Sequence, residues 1–218
     1  MNFGRGKFFG EAKGGVLDSR VGLLVEGKDD AHLVDFLLDD LGADPTDVKL
    51  VFCGGTGEME KSIASIAKSR PYIVRQLKKF GVIRDADVNP TATWESLGDA
   101  FVAAGLPAIP NGQIVGYDEG RSAGAFLIPA LDQPGAVEEL LLQIVDADPI
   151  YNSFLGPFDA ASEAAGGLDR RAKRLMQIYL ATKHPLCKGG GLGLKAGHFD
   201  QNHETLHELR NFLAALIA

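Results

Sequence analysis

Cysteine is scarce in this chain: Cys53 and Cys187 are the only two in 218 residues, they lie far apart, and they form no C-x-x-C pair. A reduced, cytoplasmic setting is the simplest expectation. Basic charge is also short, with 22 Lys and Arg against 29 Asp and Glu and a net charge of −7. No broad basic surface therefore advertises nucleic-acid binding, although a carboxylate cluster that binds cations also lowers the formal count. No apolar run approaches ~18 residues, and the opening MNFGRGKFFGEAKGG is too polar and glycine-rich for a signal h-region. The expectation is a soluble protein with no membrane association. Internal repeats and low-complexity segments are absent too.

What is present is ordinary globular composition, 45% hydrophobic and 23% charged, enough for one large domain or one domain with a helical extension. Residues 1–20 carry five Gly without periodicity and read as an N-terminal arm. VGLLVEG is a short apolar run ended by Gly27, suited to a buried parallel strand. KDDAHLVDFLLDDLG follows as a helix, with Leu33, Phe36, Leu37 and Leu41 at helical spacing and Gly42 as its stop. VKLVFCGGTG is a second strand entering a glycine turn, and Glu58 to Lys79 is a helical pattern broken near Pro71. FGVIRDAD is a third strand and TATWESLGDAFVAAG a third helix. This alternation predicts an α/β fold with a mostly parallel sheet flanked by helices over residues 21–148. Within it, NGQIVGYDEGRSAGAFLIPAL reads as a hairpin and PGAVEELLLQIVDAD as a helix. Residues 149–218 read as a helical C-terminal extension packed on that domain. LDRRAKRLMQIYLATKH and HETLHELRNFLAALIA are helices there, with the glycine-rich KGGGLGLKAG as a turn between them.

In open α/β sheets the site lies beyond the carboxyl ends of the strands. Two strands end there in acids. The first places Glu26 at its tip and Asp30 in the following helical turn; the second ends in Asp85-Ala86-Asp87, whose spacing sends both carboxylates from the tip to one side. Carboxylates crowded together raise one another's pKa unless a cation neutralises them, and hard oxygen ligands favour Mg²⁺ or Mn²⁺.

LLVEGKDD followed by GVIRDAD resembles the Toprim domain of topoisomerases, bacterial primases and OLD-type nucleases, over roughly residues 20 to 145. CGGTG falls where Toprim domains carry a glycine-rich turn, and GAVEELLL looks like the acidic helix that completes the OLD-type metal site. The whole chain, with LAT…P and a final helix, is similar to a small stand-alone family of Toprim-related proteins. The resemblance implies a Toprim-like Rossmannoid fold. It implies Glu26 as general acid/base or metal ligand, Asp85 and Asp87 as metal ligands, Asp30 assisting, and Glu138, with Glu139 the alternative, from the acidic helix. Metal-assisted phosphodiester hydrolysis is the expected reaction, with Mg²⁺ or Mn²⁺ as cofactor and DNA or RNA as substrate. Lys28, in a catalytic role, and the Gly54 and Gly55 amides would meet phosphate. The departures are that topoisomerases and primases bring further domains and OLD-type enzymes are usually fused to an ATPase. The rival expectation is accordingly a non-catalytic module that binds nucleic acid or a partner protein such as a separate ATPase.

Other motifs compete with this reading. CGGTGEMEKS and KGGGLGLKAG miss the phosphate-loop pattern, because Glu60 and Leu194 stand where Gly should precede the lysine. Arg170, Arg171, Lys173 and Arg174 form a basic run on a helix whose other face carries Leu168, Leu175 and Ile178; it is a solvated face or a nucleic-acid contact. HETLH, His203 to His207, spells the H-E-x-x-H of zinc proteases. Glu208 is the only candidate third ligand after it and stands too close, while His198 and Asp200 lie upstream. Leu206, Leu209, Leu213 and Leu216 make a core stripe instead, so this helix is expected to be a packing element rather than a zinc site.

Overall fold

The computed structural model describes residues 6–9, 18–54, 56–73, 76–110, 112–118, 120–167 and 169–218. The strands are β1 (Val21–Val25), β2 (Val48–Phe52), β3 (Lys79–Asp85), β4 (Ile114–Gly116) and β5 (Ser122–Ile128). They form one sheet in the order β2-β1-β3-β5-β4, parallel except for the antiparallel β4 edge. The helices are α1 (Lys28–Asp40), α2 (Thr56–Ala67), α3 (Arg70–Ile73), α4 (Pro90–Ala103), α5 (Val137–Ile144), α6 (Pro149–Ala164), α7 (Arg171–Ala181), α8 (Gly190–Lys195) and α9 (His207–Ile217). The chain is therefore an α/β protein with a mostly parallel sheet flanked by helices. Among the described residues no helix is long and apolar enough to cross a membrane.

Strand alternation divides the core in two. Leu23, Val25, Ile83, Phe126 and Ile128 face a layer made by α1, α5, α7, α8 and α9. Leu24, Val82, Ala125 and Leu127 face the opposite layer, where Met59 and Ile63 of α2 and Leu97 and Phe101 of α4 lie. Strands buried on both faces read as continuous apolar runs, which is why β1 was legible. The 149–218 segment supplies much of the first layer. Leu206, Leu209, Leu213 and Leu216 are all buried, as their stripe predicts.

Two cross-strand partners, Gly81 and Gly124, explain how α9 sits so low on the sheet. A Cβ on Gly81 would stand 2.4 Å from Leu216 Cδ2, and one on Gly124 would stand 3.1 Å from Phe212 Cε2. Within the expected arm, residues 6–9 are pinned. Phe8 is fully buried, its N–H donates to Asp35 Oδ1 at 2.8 Å, and Phe9 bridges to Leu50 of β2.

Three local expectations need correction. The helical pattern from Glu58 does not reach Lys79: α2 ends at Ala67 and α3 at Ile73, while Lys78 and Lys79 already donate to the Arg20 carbonyl beside β1. KGGGLGLKAG is not a turn, because its centre is helix α8. Glycine is a poor helix former, but here its missing side chain is what permits contact: a Cβ on Gly191 would lie 2.4 Å from the Asp29 carbonyl and 2.7 Å from Leu33 N. Helix α6 had no individual counterpart in the sequence reading. Its N-cap Asp148 accepts from Ile150 N–H at 2.8 Å, and its core-facing stripe is short: Tyr151 is buried, with the half-buried Leu155 and Phe158 packed against the same cluster.

HETLH is not one helical face. His203 caps the 3₁₀ turn Glu204–Leu206, with Nδ1 2.7 Å from Thr205 Oγ1, and α9 begins only at His207.

Candidate functional site

β1 pairs with β2 on one side and β3 on the other, so the chain reverses direction across the sheet between β1 and β3. Such a switch point opens a crevice at the carboxyl ends of the strands. Glu26 follows β1 and Asp85 ends β3, one on each side of it. The turn after β2 secures the first: Gly54, at φ +87°, donates its N–H to the Glu26 carbonyl at 3.0 Å, and Cys53 N–H donates to Val25. Gly55 lies outside the described residues.

Asp87 does not leave a strand beside Asp85, as the spacing argument supposed. It lies beyond the end of β3 at φ +55°, and its backbone exchanges two hydrogen bonds with Gly135, at 3.0 and 2.7 Å. That bridge ties the β3 tip to the start of α5 and so brings Glu138 to the acids. It also separates the neighbouring glutamates by role. Glu139 Oε2 accepts the Ala136 N–H at 2.9 Å as a helix cap, while Glu138 faces inward and meets Lys173 Nζ at 3.3 Å. Of the two, Glu138 is free of backbone duty.

Burial raises Asp85 to a pKa of about 9, helped by the charges of Asp30, Glu26, Glu138 and Asp87. Its Oδ1 is buried with no hydrogen-bond partner among the described residues. Asp30 is raised to about 6, again mainly by burial, although Gly27 N–H donates to its Oδ2 at 2.7 Å. Burial also raises Asp29. It accepts from Gly190 and Gly191 N–H at 2.8 and 3.0 Å, which clamps α8 onto α1. A buried cation interrupts the acids. Arg84, 6% exposed, has Nε 3.7 Å from Glu26 Oε2 and an amino nitrogen 4.0 Å from the half-exposed Asp87 carboxylate.

Mutual electrostatic reach is not convergence. Among the described residues no three His, Cys, Asp or Glu side chains stand close enough to make a ready ligand set. Coulomb effects extend well beyond bonding distance, so the two observations agree. The donor chemistry suits a hard divalent ion, since every contributor is a carboxylate and the buried Asp85 Oδ1 meets no donor among the described residues. A preformed shell is what the arrangement does not have.

The remaining candidates divide. Lys28, at the start of α1, and Lys173 line a cavity of about 600 Å³ alongside Asp29 and Glu138. Arg171 binds Asp159 through two 3.0 Å hydrogen bonds, Arg170 stands 4.0 Å from Asp169, and Arg174 also bonds Asp169. The basic run is thus largely matched by local acids, and Lys173 alone of it reaches the acidic group. Sequence reasoning missed Arg84 and Asp29. A charged residue inside the apolar run FGVIRDAD was the available signal for the first. Asp29 carried none, because its partners Gly190 and Gly191 are some 160 residues away.

No curated protein matches the chain. Residues 20–218, nearly the whole length, match the sequence profile described as Protein of unknown function (DUF3226), and the chain belongs to that family.

Proposed function

We propose that the chain is a Toprim-like, metal-dependent nuclease that hydrolyses nucleic-acid phosphodiesters at the β1/β3 switch point, with Mg²⁺ or Mn²⁺ held by Glu26, Asp30, Asp85, Asp87 and Glu138. The observation that carries this reading is Asp85: a buried carboxylate with one unsatisfied oxygen, set among four other acids, at the place where α/β proteins bind ligands. A bound divalent ion supplies positive charge to a phosphoryl oxygen and acidity to a coordinated water. Glu26 accepts the proton of the attacking water. As the water oxygen bonds to phosphorus, the bond to the leaving sugar oxygen breaks and that oxygen takes up a proton from bulk water, to which Glu26 in turn returns the one it accepted. Lys28, exposed at the crevice edge, donates to a phosphate oxygen and steadies its charge. Gly54 orients the Glu26 backbone.

Calorimetric titration of the full chain with Mn²⁺ tests the proposal, alongside the Asp85→Ala/Asp87→Ala variant and a cleavage assay on single- and double-stranded DNA and RNA. Binding and cleavage in the wild type, both lost in a folded double variant, are expected. No Mn²⁺ binding at millimolar metal would overturn it.

A second reading has its own observation. Arg84 stands between Glu26 and Asp87 and supplies a built-in positive charge. Under that reading the chain is a non-catalytic Toprim-like module that binds nucleic acid or a partner such as a separate ATPase. A folded chain that binds nucleic acid or such an ATPase, yet neither takes up Mn²⁺ nor cleaves, would favour it.

A further inference from the structure

The cavity beside the acids has a chemistry that metal ligation does not account for. At about 600 Å³ it falls within the size range of small-molecule sites. Three lysines line it, Lys28 from α1, Lys173 from α7 and Lys188 from the segment entering α8, although the chain as a whole carries a net charge of −7. Lys173 is engaged by Glu138 at 3.3 Å. Lys28 and Lys188 form no ion pair among the described residues. Both are exposed at the rim, where an anion would gain two amines without breaking an existing pair.

The rest of the lining mixes polar side chains, Asp29, His32, Glu138 and Gln177, with apolar ones. Met176 and Leu180 of α7 are buried beneath it, Leu192 of α8 borders it, and Leu186 completes it while 69% exposed. A leucine so open to water at the mouth of a cavity suits a ligand that covers it. The apolar part of the wall, with amines at its edge, matches a planar base joined to a phosphate. Glu138 belongs both to this cavity and to the acids around Asp85, so the two are adjacent.

We infer that the cavity binds a single nucleotide unit, its base against Met176, Leu180, Leu186 and Leu192 and its phosphate at Lys28 and Lys188. The inference rests on the nuclease reading for its biological sense and specifies the substrate: a terminal nucleotide seated here presents the next phosphodiester to the acids, which makes the action exonucleolytic.

Binding is measured by calorimetry on the full chain in EDTA, without metal, using 5′-AMP, adenosine, inorganic phosphate and a tetranucleotide with and without a 5′-phosphate. The comparison protein is Lys188→Gln/Leu186→Ser, both positions exposed, with its melting temperature checked against wild type. The expected result is AMP binding that weakens about tenfold or more in the variant, equivalent to about 1.4 kcal/mol, with adenosine and phosphate each weaker than AMP. A 5′-phosphorylated tetranucleotide that binds at least as well as AMP identifies a strand end as the source. One that binds far worse than AMP overturns the exonucleolytic assignment in favour of a free nucleotide. No AMP binding, or binding that the variant leaves unchanged, overturns the cavity assignment. Because no metal is present, these results stand apart from the Mn²⁺ titration, whose failure would instead overturn the nuclease reading.

Discussion

Asp85 costs the metal-free fold stability throughout the pH range in which an unfolded aspartate is ionised. Unfolded, its carboxyl releases the proton near 3.8; folded, burial and four neighbouring acids hold it to about 9. Asp30 behaves alike up to about 6. The folded state thus keeps protons that the unfolded state has lost, so stability declines as pH rises from about 4 towards about 9. Melting curves in EDTA should show that decline, and Asp85→Asn should flatten it and raise the melting temperature at alkaline pH. A pH-independent melting temperature would show that Asp85 is not protonated in the fold. The adjacent glutamates should separate cleanly. Glu139→Ala removes the cap on Ala136 and should cost about 1 kcal/mol with Mn²⁺ affinity intact. Glu138→Ala should weaken Mn²⁺ binding and barely move the melting temperature; the reverse assignment of effects would make Glu139 the ligand.

Among the elements, α8 and α4 use glycine in opposite ways. Gly191 lets α8 touch the α1 backbone, so Gly191→Ala must push the helices apart and should cost about 1–3 kcal/mol. Gly98 lies inside α4 with nothing within 4 Å of a Cβ placed there. Gly98→Ala should therefore stabilise by about 0.5–1 kcal/mol, since alanine lowers the entropy of the unfolded chain and favours the helix. Urea unfolding of the two variants checks both signs. A stabilised Gly191→Ala would mean that the α1–α8 contact is looser than described. The clamp of Asp29 on Gly190 and Gly191 joins the same two helices, so the cavity wall and the acidic crevice share one support.

Across the whole molecule, the C-terminal helices and the sheet share one core. Phe212, Leu213 and Leu216 of α9 belong to the same cluster as Leu23, Ile83 and Phe126. Leu216→Ala should cost about 2–5 kcal/mol, because the Gly81–Gly124 floor beneath α9 has no side chain able to fill the space. Unfolding followed by tryptophan fluorescence and by far-ultraviolet circular dichroism should give one coincident transition. Two separated transitions would show that residues 149–218 unfold independently of the sheet.

By itself the sequence determined the alternating α/β order, because apolar strands and amphipathic helices are local patterns whose burial follows from their own periodicity. It also marked Glu26, Asp30 and Asp85 as candidates, since each stands at an element end that local pattern marks, whereas Glu138, with Glu139 the alternative, came only from the Toprim resemblance. Other features depend on residues distant in the chain, and only the tertiary structure decided them. It placed Arg84 among the acids and turned Asp87 out of the strand into its bridge with Gly135. It made a helix of the glycine run at 190–195, because the gain there is close contact with α1 rather than intrinsic propensity. It also gathered Lys28, Lys173 and Lys188 around one cavity, three residues whose common position depends on the packing of α1, α7 and α8 and on no spacing that the chain displays.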